Sequence, residues 1–147
     1  MNAENDLMKL YSGKILALAS DIPHIGRLAD PDGSSKQRSP LCGSTVTVDV
    51  AMTDGRISNY AQDIKACALG QAAAAVVGNV AIGLTENDVL AGRDQLLAML
   101  KSDGPVPDAP FEGLEVLLPA REFKNRHASI MLTLNALSDA INQAQTK

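Results

Sequence analysis

The sequence predicts an α+β domain, and three observations carry that expectation. One stretch alternates cleanly as a strand and runs through an Asp-Gly turn into a partner strand; segments of helical periodicity lie on both sides of it; and the length holds one core. At 147 residues the chain suits a single domain, residues 1-147, rather than two. Hydrophobic residues make up 46% and charged residues 20%, as in an ordinary globular protein. With aromatics at 3% and no Trp, the core has to come from Leu, Ile, Val and Ala.

Leu7, Leu10, Tyr11, Ile15 and Leu18 recur every three or four residues and predict an amphipathic first helix ending near Ser20. The turn formers in Asp21-Ile-Pro-His-Ile-Gly26 and Asp30-Pro-Asp-Gly-Ser-Ser35 then predict a surface loop that reaches Pro40 and delivers Cys42. From Thr45 the pattern has period two. Val46, Val48, Val50 and Met52 face one way, and Thr45, Thr47, Asp49 and Ala51 the other. Asp54-Gly55 suits a two-residue hairpin turn with positive φ, so Ile57 to about Gln62 returns as the partner strand.

Cys67 stands at the head of an Ala-rich helix expected to reach about Ile82, where Gly83 ends it. Thr85-Glu-Asn-Asp88 reads as a helix cap with an acid three residues on, opening a helix whose apolar face is Val89, Leu96, Leu97 and Leu100. Ser102 to Pro110, with three prolines and a glycine, predicts a loop. Leu114 to Leu118 is short and apolar and predicts a third strand stopped by Pro119. A last helix follows from about Phe123, with His127, Ile130, Met131, Leu134, Leu137 and Ile141 on its inward stripe.

Several functions are disfavoured at once. Thirteen basic and seventeen acidic side chains give a net charge of -4, so there is no basic field to gather nucleic acid. Met1-Asn-Ala-Glu-Asn-Asp6 lacks the basic and apolar regions of a secretory signal, and two cysteines make no disulfide framework; a cytoplasmic setting is expected. Ala66 to Thr85 is twenty residues without a charge, near the length of a membrane span. Its alanines, Gln71, Asn79 and three glycines read instead as a small-residue helix packed inside a domain.

Chemistry in this chain centres on Cys42, Cys67 and His127. Each lies where a loop enters a regular element, and such entry points can converge on one site. Two thiolates and an imidazole suit zinc or iron of an iron-sulfur cluster, and not magnesium or calcium. The helix head favours Cys67 as thiolate. The structural alternative is that both cysteines are buried thiols and His127 a hydrogen-bonded core residue, since no spacing matches a compact zinc motif.

Leu41-Cys-Gly-Ser44 before the alternating strand, Lys65-Ala-Cys-Ala-Leu69 opening the small-residue helix and Arg126-His-Ala-Ser129 opening the last helix occur together and in order. In this the chain resembles the U-type iron-sulfur cluster assembly scaffolds (IscU, SufU and the N-terminal domain of NifU) over roughly residues 5 to 145. The resemblance implies an α+β domain, a three-stranded antiparallel sheet packed with about four to five helices in the SufE/IscU-like manner. It implies that Cys42 and Cys67 match the family's first two cysteines and His127 the histidine before its third. Ala128 stands at the third cysteine, and Ser44 at the aspartate that follows the Cys-Gly pair, so the ligand set is incomplete.

The resemblance therefore implies a scaffold that binds a labile [2Fe-2S] cluster or a zinc or iron ion at Cys42, Cys67 and His127. Its partners are a cysteine desulfurase that supplies sulfur and apo iron-sulfur acceptor proteins, with no nucleic acid and no membrane. No substrate turnover is expected, and the chain is expected to be a monomer or weak homodimer. A second expectation is a cluster-free adaptor that keeps the fold and modulates the desulfurase. A third is a thiol enzyme in which His127 activates Cys42 or Cys67. Arg121, Arg126 and Lys65 are the cations near these positions, either raising the local potential or simply solvated.

Overall fold

A computed structural model of the chain describes residues 12–40 and 43–146. In order, the elements are α1 (Gly13–Ala19), β1 (Gly33–Arg38), β2 (Thr45–Thr53), β3 (Arg56–Lys65), α2 (Ala68–Val80), α3 (Glu86–Lys101), 3-10 segments over Glu112–Glu122 and Lys124–Arg126, and α4 (His127–Gln145). The strands form one antiparallel sheet in the order β1-β2-β3, so the α+β class with a three-stranded antiparallel sheet is what the chain adopts.

The hairpin β2–β3 forms as its alternation predicts. Val46, Val48 and Val50 are buried on the inner face. Asp54 and Gly55 take φ of 54° and 79°, positive at both turn positions, and this twist matches the strands it joins. A bulge between Ala51 and Met52 breaks the alternation, so Met52 is only half-buried. β3 runs on to Lys65, three residues past its predicted end. Its length carries the chain straight to Cys67.

The sheet has three strands, but one of them is not where the periodicity put it. The predicted loop from Asp21 to Pro40 contains β1, paired with β2 from Gly33↔Val50 to Arg38↔Thr45. β1 was invisible to a hydrophobic pattern because its inner residues are Gly33, Ser35 and Gln37. Ser35 Oγ donates to Asp139 Oδ2 at 2.7 Å, and Gln37 Nε2 donates to Ser35 Oγ at 3.0 Å. At Gly33 any Cβ would run into the Ala140 carbonyl on α4. This strand therefore seats on α4 through hydrogen bonds and backbone approach, with no apolar stripe.

The predicted strand Leu114–Leu118 is a 3-10 segment instead, with Pro119 inside it. Leu114, Leu117 and Ala120 are its buried residues. That spacing of three is the 3-10 period, in which side chains at i and i+3 align, and it brings one apolar edge onto the core. A run of five apolar or acidic residues is too short to separate that period from an alternating strand.

Helix α4 lies under the sheet and also touches α2 and α3, so it forms the centre of the core. Ile130, Met131, Leu134, Leu137 and Ile141 are buried as predicted. The Ala-rich run becomes α2 and ends at Val80, with Gly83 at φ +94° in the turn beyond. Ala72, Ala73, Ala74 and Ala75 are fully buried there. Their small size lets α2 sit deep in the fold. No helix among the described residues is long and apolar enough to cross a membrane.

The cap predicted at Thr85 forms: the Thr85 hydroxyl accepts from Asp88 N at 3.2 Å and Asp88 Oδ2 from Thr85 N at 3.0 Å. Of the predicted apolar face of α3, Leu97 is 41% exposed and the other three residues are buried. In the first helix, Leu7, Leu10 and Tyr11 lie outside the described residues. Ser12 caps a helix that starts at Gly13, its hydroxyl accepting from Ile15 N at 3.3 Å.

Candidate functional site

Lys65 ends β3, and two residues later Cys67 is the N-cap of α2, in extended conformation. A capping side chain would accept from the first free N–H groups, as Ser or Asp does. Cys67 makes no such bond, so its thiol is free for other contacts. The turn is tied instead by its backbone: Gln71 N donates to Cys67 O at 2.9 Å, and Gln71 Nε2 to Ala66 O at 2.9 Å.

The half-buried Cys67 Sγ lies 3.5 Å from Ser129 Oγ, on the third residue of α4. Ser129 Oγ in turn donates to Ser44 Oγ at 3.0 Å. Both serines are buried, at 1% and 4% exposure. Across the 3.5 Å contact either the Cys67 thiol or the Ser129 hydroxyl can donate. Gly70 permits this approach: a Cβ there would sit 3.0 Å from Ser129 Oγ and 2.9 Å from the Ala66 side chain.

Ser44 opens the approach to β2 from the connection that follows β1. Ser39 N donates to Ser44 O at 2.8 Å and Gly43 N to Ser39 O at 3.0 Å, with Gly43 at φ +68°. Cys42, the predicted first member of the site, lies outside the described residues. Its sequence neighbours Gly43 and Ser44 are the described part of that connection.

His127 is the first residue of α4 and is 3% exposed. Its Nε2 lies 2.9 Å from Ala120 O. A carbonyl only accepts, so Nε2 carries the hydrogen and donates, leaving the Nδ1 lone pair for a ligand or proton. The ring borders a cavity of about 430 Å³ with Leu100, Lys101, Arg121 and Lys124, and a smaller one of about 210 Å³ with Leu97, Ala128 and Met131. Residues two apart on a helix leave its axis roughly 200° apart. Consistently, Ser129 meets α2 and the start of β2, whereas His127 meets the 3-10 segment and borders α3.

The structure thus brings Cys67 and Ser44 together through Ser129 and holds His127 from another side. Among the described residues, no group of three or more His, Cys, Asp or Glu side chains is arranged to hold a metal. Arg121 is occupied at the end of α3: Nε donates to Met99 O at 2.7 Å, Nη2 to Gly104 O at 2.9 Å, and Nη1 pairs with Asp103 at 3.4 Å. A cation there opposes the negative end of the α3 dipole. Lys65 is exposed and Arg126 half-buried.

The shortest ion pair among the described residues lies away from this site. Asp49, fully buried, accepts from Arg27 Nε at 2.7 Å and Nη2 at 3.2 Å, Leu28 N at 3.0 Å and Ser34 Oγ at 2.6 Å. Burial pushes its carboxyl up, but the bonds from Arg27, Ser34 and Leu28 outweigh it and hold the group below the usual carboxylate range. This pins the segment after α1 across the sheet.

Ser129 is the site residue that the sequence pattern did not single out. It falls off the apolar stripe of α4 and reads as an ordinary polar position. The available signal was Gly70, a glycine near the start of an Ala-rich helix, which marks a close approach by a neighbour.

No family model and no curated protein matches the chain. Solved structures do. A NifU-like protein, N-terminal region, from Brucella abortus, described as nitrogen-fixing, is 42% identical with a TM-score of 0.93, covering 97% of this chain and 99% of that one. A candidate iron-sulfur cluster assembly scaffold of the SUF system from Fervidobacterium islandicum shares the fold at 19% identity and TM-score 0.79, over 90% of this chain and 96% of its own. A hypothetical protein does so at 22% and 0.77, over 90% and 97%.

Proposed function

This chain belongs to the NifU-like family of U-type iron-sulfur cluster scaffolds, and from that premise we propose that it carries a labile cluster, or zinc or iron, on Cys42, Cys67 and His127. A cysteine desulfurase is the sulfur donor, and apo iron-sulfur proteins are the acceptors. The observation that carries this reading is the 42% identity over nearly the whole of both chains. The local chemistry supports it. The Cys67 thiol is not spent on capping α2, and His127 has its Nδ1 lone pair available because Nε2 is bound to a carbonyl.

In this reading the chain binds and hands on, and no turnover is required of it. Sulfur arrives when a thiolate of this chain attacks the outer sulfur of a persulfide on the desulfurase. The old S–S bond breaks, a new one forms, and the desulfurase cysteine leaves as thiolate. Iron or zinc binds as the thiols release their protons. Anaerobic reconstitution with iron and sulfide tests the proposal: thiolate-to-iron charge-transfer absorption is expected. Absence of both absorption and bound metal, with and without the desulfurase, overturns it.

One observation favours a second reading, a cluster-free adaptor of the desulfurase. Ala128 and Ser44 occupy the positions of a cysteine and an aspartate in the family pattern. Replacing Cys42 and Cys67 by Ser separates the two readings. An adaptor keeps its effect on desulfurase activity in that variant, and a scaffold loses its cluster.

A further inference from the structure

Helix α4 is the centre of the core, yet its C-terminal half carries a polar stripe. Asn135, Ser138, Asp139 and Asn142 follow one another at intervals that place them on one face of the helix. That face and the Glu86, Leu90 and Arg93 side of α3 line a cleft of about 430 Å³, and Gln37 of β1 completes the lining.

The charged groups of this cleft do not pair with one another. Arg93 Nη1 donates to the buried Ser138 Oγ at 3.2 Å, and its one carboxylate contact is with its exposed neighbour Asp94 at 3.5 Å. Asp139 Oδ2 accepts from neutral donors, Ser35 Oγ at 2.7 Å and Gln143 Nε2 at 3.2 Å. Among the described residues, Glu86 has no ion pair and the half-buried Asn135 amide has no hydrogen bond. Asn is a poor helix former, so helix propensity does not account for Asn135 inside α4.

We propose that this cleft binds a free amino acid with a cationic side chain, of the lysine or ornithine type. One guanidinium against two carboxylates leaves the lining with negative charge in excess, which complements a ligand of one anionic and two cationic groups. Arg93 takes the α-carboxylate, Glu86 and Asp139 take the two ammonium groups, and the carboxamides of Asn135 and Asn142 meet the remaining donors and acceptors. Glu86 and Arg93 are seven residues apart on α3, about 10 Å along its axis, so opposite charges on the ligand are read at separate points. Leu90, between them, offers apolar surface to the methylene stem. None of Cys42, Cys67 and His127 takes part, and the inference stands whether or not the chain carries a cluster.

Titration of the nitrogen-15-labelled full chain with L-lysine, read at the side-chain amide signals of Gln37, Asn135 and Asn142, tests the inference. Saturable shifts of these signals are expected. Cadaverine lacks the carboxylate and N-acetyl-L-lysine lacks the α-ammonium, and each is expected to bind about tenfold more weakly, the effect of losing one charge-assisted bond. Glu86→Gln, at a side chain that ties nothing in the fold, should weaken lysine by a similar factor. Arg93→Gln should weaken lysine and leave cadaverine bound at least as well, because the lost cation repels a diamine. Asn135→Ala should weaken lysine while unfolding at the same or a higher urea concentration than wild type, since alanine is the better helix former. Absence of shifts at millimolar lysine overturns the inference. So does cadaverine or N-acetyl-L-lysine binding as tightly as lysine, which would reduce the cleft to a patch of unspecific charge.

Discussion

Cys67 rests against the Ser129 hydroxyl, itself bonded to Ser44, and His127 against a backbone carbonyl, and the two anchors differ in how freely they can change. The hydroxyls of Ser129 and Ser44 are rotors that exchange donor and acceptor roles at little cost. Ala120 O is fixed by the chain and only accepts, so the His127 ring donates to it through Nε2. One half of the candidate site is adaptable and the other preset. The preset half is also the more buried, since Cys67 is half-exposed and His127 is 3% exposed.

The largest expected effect is on the preset side. His127→Ala empties a buried ring's volume and leaves Ala120 O without its donor, which is expected to cost about 3 kcal/mol in urea unfolding. A loss below about 1 kcal/mol would mean that the ring is not anchored as described.

On the adaptable side, Gly70→Ala pushes a methyl into Ser129 and Ala66. Overpacking of this kind is expected to cost about 2 kcal/mol in urea unfolding and to shift the NMR signals around Cys67. The His127 imidazole signals in nitrogen-15 NMR should stay where they are. If they move as much as the Cys67 environment does, the two halves are one rigid unit and the contrast is lost.

Asp49 supplies a control outside both halves. Its folded carboxyl titrates below the unfolded value of about 3.9, so it contributes stability above that pH and the contribution is lost as pH falls through the folded value. Asp49→Asn is expected to cost about 1–2 kcal/mol at pH 7, and the deficit is expected to shrink as pH falls below the unfolded value of about 3.9. A deficit that does not change with pH in acid would show that the charge of Asp49 is not what stabilises the fold.

Ser129→Ala should be the mildest for stability, about 1 kcal/mol, because a neutral hydrogen bond is lost and the remaining Ser44 hydroxyl can turn. Urea unfolding measures it, and a loss above about 2 kcal/mol would show that the Ser44 hydroxyl does not re-pair.

Much of this was legible in the sequence, and the failures have definite causes. The β2–β3 hairpin, the Thr85 cap and the stripe of α4 rest on periodicities and local bonds that the residues write directly. β1 was missed because Gly33, Ser35 and Gln37 bind α4 through backbone approach and hydrogen bonds, which leave no apolar alternation. The segment around Leu114 fits a strand and a 3-10 segment equally well in sequence, because five residues do not distinguish period two from period three. At the site, Cys67 and His127 stand at the element starts where they were expected. The role of Ser129 was hidden because a polar residue on a helix reads as solvated until the neighbouring helix is known to approach at Gly70.

The central claim is that this chain loads a cluster through its cysteines. Iron and acid-labile sulfide should be quantified on the isolated protein after anaerobic assembly with a cysteine desulfurase, cysteine, ferrous iron and dithiothreitol to reduce the persulfide sulfur to sulfide. Equal amounts of iron and labile sulfide on wild type, and neither on Cys67→Ser, is the result this account predicts. Wild type that emerges with neither, from a mixture in which the desulfurase is demonstrably releasing sulfide, would contradict it.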